Sequence, residues 1–512
     1  MASHYSTQDE IDESYGILTT TFSSGKTKEI AWRRWQLKQL WWLVEDNTEQ
    51  IINALHKDLG RHPFESSLGD LRSTKHAIMY TLKNLDKWTS NVKLADAGFI
   101  FGVLGKAHYR KEPLGVALII GAWNYPLYVA LNPLVGAIAA GCCVMVKPSE
   151  VATHTEALLS YLFPKYLDPE AIRLATGGVK EATYILEKRF DQIFFVGSSK
   201  VGRVVAAAAA KHLTPTVLEL GGQGPCVVTK SCDIELAARR ISNTKFMNAG
   251  QICTNINHVF AEPEIADRLL ERMIYWNDQY LKQGDGHMSR IINEHNFDRV
   301  MQLLNNTKGD IVYGGKCNRE DKFIHPTIIK GITLDDSLMS EEIFGPLLPI
   351  ITATVDEAIK MTKSLPKPLA MYVFSQDDAV TKKILDQVDS GGVTVNGTFF
   401  HSFVDSAPFG GVGDSGHGAF HGEHSIDCFT HKRTVVTPPS FLDRVLNFTY
   451  APYDLKYVSR TNIANTLGFK RGETLEDQKR VGPSQFLLWA LPIISVVALA
   501  YVSRKQIANM RG

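Results

Sequence analysis

Cysteine is scarce here, and its pattern suggests no pairing. The 512-residue chain has seven, an odd number, and Cys142 and Cys143 are adjacent. No disulfide framework is expected, and a reducing compartment is. Neither sign of charge dominates: 55 Lys and Arg stand against 54 Asp and Glu. Without a basic block or stripe, nucleic acid is not an expected partner. The opening MASHYSTQDE has neither an apolar core nor an Arg-rich amphipathic pattern, so no secretory signal or transit peptide is expected. The sequons at Asn305, Asn396 and Asn447 then read as chance matches. His421 and His424 in FHGEHS have no third ligand, and HExxH is missing. Both read as surface or core histidines, with no metal site expected. A usable dinucleotide fingerprint is lacking too. The one G-x-G-x-x-G match, Gly411, Gly413 and Gly416, follows no clear strand and opens no helix. It reads as a glycine-rich loop.

The pattern that is present is α/β. Residues 27–59 read as one or two Trp-rich amphipathic helices, with Trp32, Trp35, Leu40, Leu43, Ile51, Ile52 and Leu55 as core. From about 115 onward, apolar runs alternate with helical stretches: GVALIIGAW, CCVMVK, AIRLATG and QIFFVG, with helices between them. That series implies a largely parallel, doubly wound sheet. A second such series runs from about 225 to 420, and a proline-bearing tail follows.

One segment breaks this pattern. Phe486 to Val502, FLLWALPIISVVALAYV, carries no charge. As a helix it reaches about 25 Å, enough for a thin or locally thinned bilayer. It has no polar face, so it reads as a spanning anchor and not an interfacial helix; a buried C-terminal core helix is the alternative.

The chemistry concentrates in two motifs. Cys253 in FMNAGQICTN follows an Ala-Gly step, and Glu219 in VLELGGQGP precedes a Gly-Gly step. A thiol can add to a carbonyl carbon, and a carboxylate can activate the water that resolves the adduct. Taken alone, Cys253 reads as a small buried hydrophobe. Asn124 in GAWNYP sits in a turn after a strand, where its amide can donate to an oxyanion; alone it reads as a turn asparagine. QIFFVGSSKVGRVV ends a strand at Gly197 and opens a helix at Ser198 that passes through Gly202, a placement that suits a pyrophosphate. Alone it reads equally as a serine-capped helix. Lys147 and Glu150 in VMVKPSE follow a strand, where they can hold ribose hydroxyls; on their own they read as a solvated lysine and a helix-start glutamate. Glu342 and Phe344 in EEIFGP pair an acid with an aromatic, suited to a ribose and a nicotinamide ring; alone the stretch reads as an ordinary loop.

The ordered set GAWNYP, KPSE, FVGSSKVG, LELGG, GQICTN, EEIFGP and PFGGVGDSG resembles the aldehyde dehydrogenase superfamily from about residue 20 to 435. AAAKHLTPTVLELGG, KFMNAGQIC and HGEHSIDCFTHKR resemble its class 3 branch. The apolar C-terminal run resembles that branch's membrane-bound fatty aldehyde dehydrogenases. The resemblance implies Cys253 as nucleophile, Glu219 as general base and Asn124 as oxyanion donor. It implies Lys147 and Glu150 at the adenosine ribose, Gly197, Ser198 and Gly202 at the pyrophosphate, and Glu342 and Phe344 toward the nicotinamide, with Gly221 also among the cofactor-binding residues. Two departures stand out: QGP follows LELGG where relatives often have KSP, and FVGS replaces FTGS.

The expected architecture is a Rossmann-like cofactor domain over 1–220, with an arm hairpin near 96–114, and an α/β catalytic domain over 221–425. A small β oligomerisation arm over 426–440, a tail over 441–485 and a transmembrane helix over 486–502 complete it. The expected activity is NAD-dependent oxidation of medium- to long-chain aldehydes, with NADP as the weaker cofactor. A homodimer is expected, tail-anchored with a cytosolic body in the endoplasmic reticulum, lipid droplet or mitochondrial outer membrane. A CoA-acylating dehydrogenase and a non-catalytic membrane scaffold are the alternatives. Glu219 argues against the first, and retention of every named group argues against the second.

Overall fold

A computed structural model describes residues 4–94, 96–458 and 471–479. The chain divides into two units, Met1–Thr437 and Pro438–Gly512. In the second, the described elements are short: helices Leu442–Leu446 and Leu475–Lys479, and single 3-10 turns. The expected anchor, 486–502, lies outside the described residues. Among the described residues no helix is long and apolar enough to cross a membrane.

The first unit opens with helices. Thr7 and Glu10 form a reciprocal capping box that starts Gln8–Ser24, satisfying backbone donors that the first turn leaves free. Helices Ile30–Asp46 and Thr48–Leu59 follow, the second closed by Gly60 in the left-handed region. Leu40, Leu43, Ile51 and Leu55 are buried, but Trp35 is 57% exposed, contrary to its expected core position. The buried stripe of its helix runs through Arg33, Gln36, Leu37, Leu40, Leu43 and Val44. Trp35 falls off that stripe because its 3.6-residue period is occupied by neighbours on either side.

The first large sheet runs in the order Gly416–His417, Thr216–Leu220, Gln192–Gly197, Val116–Ile120, Cys143–Lys147 and Ile172–Leu174. All neighbours are parallel except the short edge strand Gly416–His417. Val116–Ile120 and Cys143–Lys147 are buried throughout, the mark of a parallel sheet covered on both faces. Chain order reverses between Val116–Ile120 and Gln192–Gly197, which leaves a crevice at the strands' carboxyl ends.

The second sheet has seven strands, in the order Asp310–Tyr313, Thr327–Lys330, Leu347–Thr352, His258–Ala261, Pro225–Val228, Ala370–Phe374 and Gly392–Val395. Its side chains alternate between two apolar layers. Val227, Phe260, Ile329, Met371 and Val373 enter one, while Cys226, Val228, Val259, Ile328, Tyr372 and Phe374 enter the other. A strand period of two, with both faces covered, accounts for this. A small antiparallel sheet, Val92–Lys93, His108–Pro113 and Thr430–Val435, stands apart from both. His421 is buried, accepts or donates at 3.0 Å to the Tyr128 hydroxyl and stacks on Phe409.

Candidate active site

The thiol sits at the end of an unusual turn. Helix Ile234–Phe246, capped by Asp233, ends at Met247. Asn248, Ala249 and Gly250 then follow with φ of 52°, 52° and 78°. Only the glycine adopts this region without cost; each L-residue there costs about 1–2 kcal/mol. Surrounding structure imposes it. A Cβ on Gly250 would stand 2.2 Å from the Gly345 carbonyl oxygen, so no other residue fits. Buried Gln251 donates from Nε2 to the carbonyls of Asn248 and Arg290, and its Oε1 accepts from Ile292 N–H. The turn therefore presents Cys253, partly exposed, from a fixed base.

Glu219 lies in strand Thr216–Leu220, paired across the sheet with Val196 and with Gly416. It is buried, and neither carboxyl oxygen has a hydrogen-bond partner. Burial alone holds its carboxyl well above the usual carboxylate range, because the charged form is deprived of water. Nearby, the Glu342 carboxylate lies against Gly221, where a Cβ would stand 2.1 Å from Oε2. Burial raises Glu342 to about 8, although the Gly222 N–H and the charges of Arg299 and Lys245 pull it down. Arg299 also clasps this loop through the Ile343 carbonyl at 2.8 Å. Burial, then the charges of Glu342 and Glu219, push the Cys253 thiol up to about 12. At neutral pH the resting group is accordingly a thiol.

Asn124 is buried beside this turn. Its Nδ2 donates to the Gln251 carbonyl at 3.2 Å. A carboxamide has two N–H donors, so one is spent on orientation and the second can serve an oxyanion. Arg61, completely buried, donates to the Asn124 carbonyl and, at 2.8 and 3.1 Å, to Asn248 Oδ1. It pairs with Asp70, also completely buried. Removing one member of such a pair costs about 3–5 kcal/mol, because the other is left charged and unmatched.

The second half of the site is regular. Lys147 ends strand Cys143–Lys147; its ammonium donates to the Pro148 carbonyl and to Glu150 Oε2, both at 3.0 Å. Ser198 caps helix Ser199–Ala210 by accepting from Val201 N–H. A Cβ on Gly202 would stand 2.6 Å from Leu220 Cδ2, so the glycine lets this helix close onto its strand. These residues fit a dinucleotide: a helix start for phosphate, an acid and a cation at an adjacent strand end, and a cradle at Gly221 that any side chain would fill.

Cys253, Glu219, Asn124, Gly221 and Glu342 thus share one buried neighbourhood. Lys147, Glu150, Gly197, Ser198 and Gly202 line the carboxyl ends of the first sheet. Phe344, at φ 46°, meets the Trp123 ring edge-on at 5.2 Å. Sequence reasoning missed Arg61, Asp70 and Asn248. Nothing near Arg61 in sequence marks it, since its partner Asn248 lies 187 positions away. Asn248 alone carried a signal, as a residue that tolerates the left-handed region two positions before a glycine.

Comparison with known proteins gives a consistent answer. The model of the aldehyde dehydrogenase family matches residues 2–435. Aldehyde dehydrogenase family 3 member H1 of Arabidopsis thaliana is 41% identical, over 85% of this chain and 91% of that one. The dimeric NADP-preferring aldehyde dehydrogenase of Rattus norvegicus is 39% identical, over 85% and 96%. The substrate-bound structure of Staphylococcus aureus AldH superimposes with a TM-score of 0.81 at 32% identity, covering 86% of this chain and 99% of that one.

Proposed function

The chain belongs to the aldehyde dehydrogenase family, in its class 3 branch, and from that premise we propose how its residues oxidise an aldehyde and which aldehyde they take. Cys253 gives its proton to a water molecule and its sulfur adds to the aldehyde carbon, whose carbonyl π electrons move onto the oxygen. The Asn124 amide and a backbone N–H of the nucleophile's turn hold the oxyanion so formed. A nicotinamide dinucleotide, held by Lys147, Glu150, Ser198, Glu342 and the glycines Gly197, Gly202 and Gly221, supplies the hydride acceptor when bound. Thiol addition matters because a bare aldehyde carbon has no electron-rich oxygen to expel hydride. The acyl group is then a thioester on Cys253. Glu219 takes a proton from water, hydroxide displaces the thiolate, and the acid leaves.

The observation that carries this reading is Glu219: a buried carboxyl with both oxygens unpartnered, whose charge acts on the Cys253 thiol. A buried acid with both oxygens free of partners is placed to take up a water molecule. It also favours hydrolysis over transfer to CoA. Its cofactor is NAD in preference to NADP. Glu150 disfavours a 2′-phosphate, and Lys147, held against it at 3.0 Å, softens that discrimination.

The substrates are medium- to long-chain aliphatic aldehydes. The uncharged Phe486–Val502 run serves as a tail anchor with the catalytic body in the cytosol, at the endoplasmic reticulum, lipid droplet or mitochondrial outer membrane. The working form is a homodimer. An apolar aldehyde partitions to such an enzyme's own surface, since each buried methylene contributes about 0.8 kcal/mol. The test uses the full chain in vesicles with a panel of aldehydes from short to very long, with NAD and NADP, and detects the acyl adduct on the Cys253 peptide by mass spectrometry. Rising kcat/KM with chain length and an adduct on Cys253 are expected. Indifference to long chains, or release by alkaline carbonate washing, would refute the lipid assignment.

A further inference from the structure

We propose that Arg61 is a positioning residue that locks the oxyanion donor and the nucleophile's turn into one unit, so that it governs acylation and not cofactor binding. This rests on the roles given above to Cys253 and Asn124.

Arg61 follows Gly60, which ends helix Thr48–Leu59. Its guanidinium spends its donors on both sides of the site. Nε and one terminal nitrogen donate to Asn248 Oδ1, at 3.1 and 2.8 Å. That same terminal nitrogen donates to the Asn124 carbonyl, and the other to Asp70. Asn248 completes the circuit. Its Nδ2 donates to the carbonyls of Asn124 and Gln251, each at 3.0 Å. The Gln251 carbonyl in turn receives Asn124 Nδ2. Four residues from three distant stretches of chain therefore close a ring.

Each part of the ring meets a need of the chemistry. The Asn248 side chain accepts only from the cation and donates only to carbonyls, so the guanidinium fixes which way its amide faces. Asn248 begins the left-handed run that delivers Cys253, and it is held there from outside the turn. Asp70 keeps Arg61 from being a lone buried charge, and its other oxygen accepts from Tyr128 N–H at 2.8 Å, at the start of helix Tyr128–Ala140. The Arg61 guanidinium also lies over the Tyr125 ring, 4.4 Å from its centroid. None of these contacts involves Lys147, Glu150, Ser198 or Gly202. A catalytic donor must be held within about 0.5 Å of its place, and a misplacement near 1 Å costs about 10²-fold in rate.

The test uses full-length Arg61→Lys and Asn248→Gly. Lysine keeps the charge against Asp70 but lacks the planar fork that spans Asn124 and Asn248. Glycine keeps the left-handed backbone and removes the hub. The readouts are the rate of the hydride burst, cofactor affinity, alkylation of Cys253 by iodoacetamide and the thermal midpoint. In both variants the burst should slow about 10²-fold, with cofactor Kd changing less than about threefold, and the double variant should be little worse than either single one. An unchanged burst overturns the proposal. So does a burst loss matched by equal losses in cofactor affinity and thermal midpoint, or failure of Asn248→Gly to fold, since either marks a general structural role. Cys253→Ala, run alongside, separates the two readings: an active alanine variant would refute the nucleophile assignment itself, whatever Arg61 does.

Discussion

The nucleophile's turn and the cofactor rim are built on opposite principles. The rim uses regular parts, namely strand ends and a helix start, with Lys147 and Glu150 satisfying each other at 3.0 Å. Its close approach at Gly202 is to a leucine side chain, which can move. The turn uses three left-handed residues in a row and a glycine against backbone, which cannot move. Its acids are buried without partners or pushed far from their usual range. Binding tolerates an adaptable surface. Covalent chemistry needs groups that are held in place and deprived of water, and that is where strain and desolvation gather.

The sharpest test of this contrast is to remove the reacting atom. Cys253→Ala should abolish oxidation, by about 10⁴-fold or more, while dinucleotide affinity measured by fluorescence quenching stays within about twofold. Lost affinity would show that the two halves are not separable.

Next in size is a pair of glycine substitutions. Gly250→Ala places a Cβ 2.2 Å from the Gly345 carbonyl, at φ 78°. It should cost nearly all activity and lower the thermal midpoint markedly. Gly202→Ala meets only the flexible Leu220 side chain and should mainly raise the cofactor KM. Equal effects on kcat would erase the distinction between the two regions.

Glu219→Gln should slow thioester hydrolysis about 10²–10³-fold yet leave the hydride burst intact. The parent should show hydrolysis rising with pH through a range above 4.5, since burial raises this group and the base acts only when ionised. Stability has the opposite sign. Between 4.5 and the raised value the folded protein keeps a proton that the unfolded chain gives up, so stability falls as pH rises. The glutamine variant should match the parent near pH 4 and exceed its thermal midpoint near pH 8. A variant less stable at pH 8 would mean that the Glu219 oxygens have partners.

The smallest effect expected is at the rim. Glu150→Gln should shift the NAD to NADP ratio of kcat/KM by about tenfold toward NADP, with kcat on NAD held within about twofold. A change in kcat and not in cofactor choice would move Glu150 out of the ribose role.

Much of this was legible before any coordinates, for reasons local to the chain. Apolar runs of strand length alternating with helical stretches announce largely parallel sheets, and the described residues form two, each with one antiparallel edge strand. FVGSSKVG reads as strand, cap and helix because all three signals fall within a few residues, and Ser198 does cap that helix. Trp35 misled because an aromatic in a Trp-rich helix says nothing of which face it occupies until the helix is phased against its neighbours. The glycine-rich PFGGVGDSG stretch could be read as a loop. That Gly416 pairs with Glu219 to form the sheet edge could not.

The sequence by itself determined the inventory: which thiol, which acids and which glycines stand beside regular elements, in an order that marks a family. Those are nearest-neighbour properties, set by backbone geometry over a few residues. Tertiary structure alone decided the state of that inventory. Burial raised Glu219 and Cys253, and Arg61 reached Asn124 and Asn248 across 63 and 187 positions. Desolvation and long-range hydrogen bonds depend on what the folded chain brings close, and no local pattern records that.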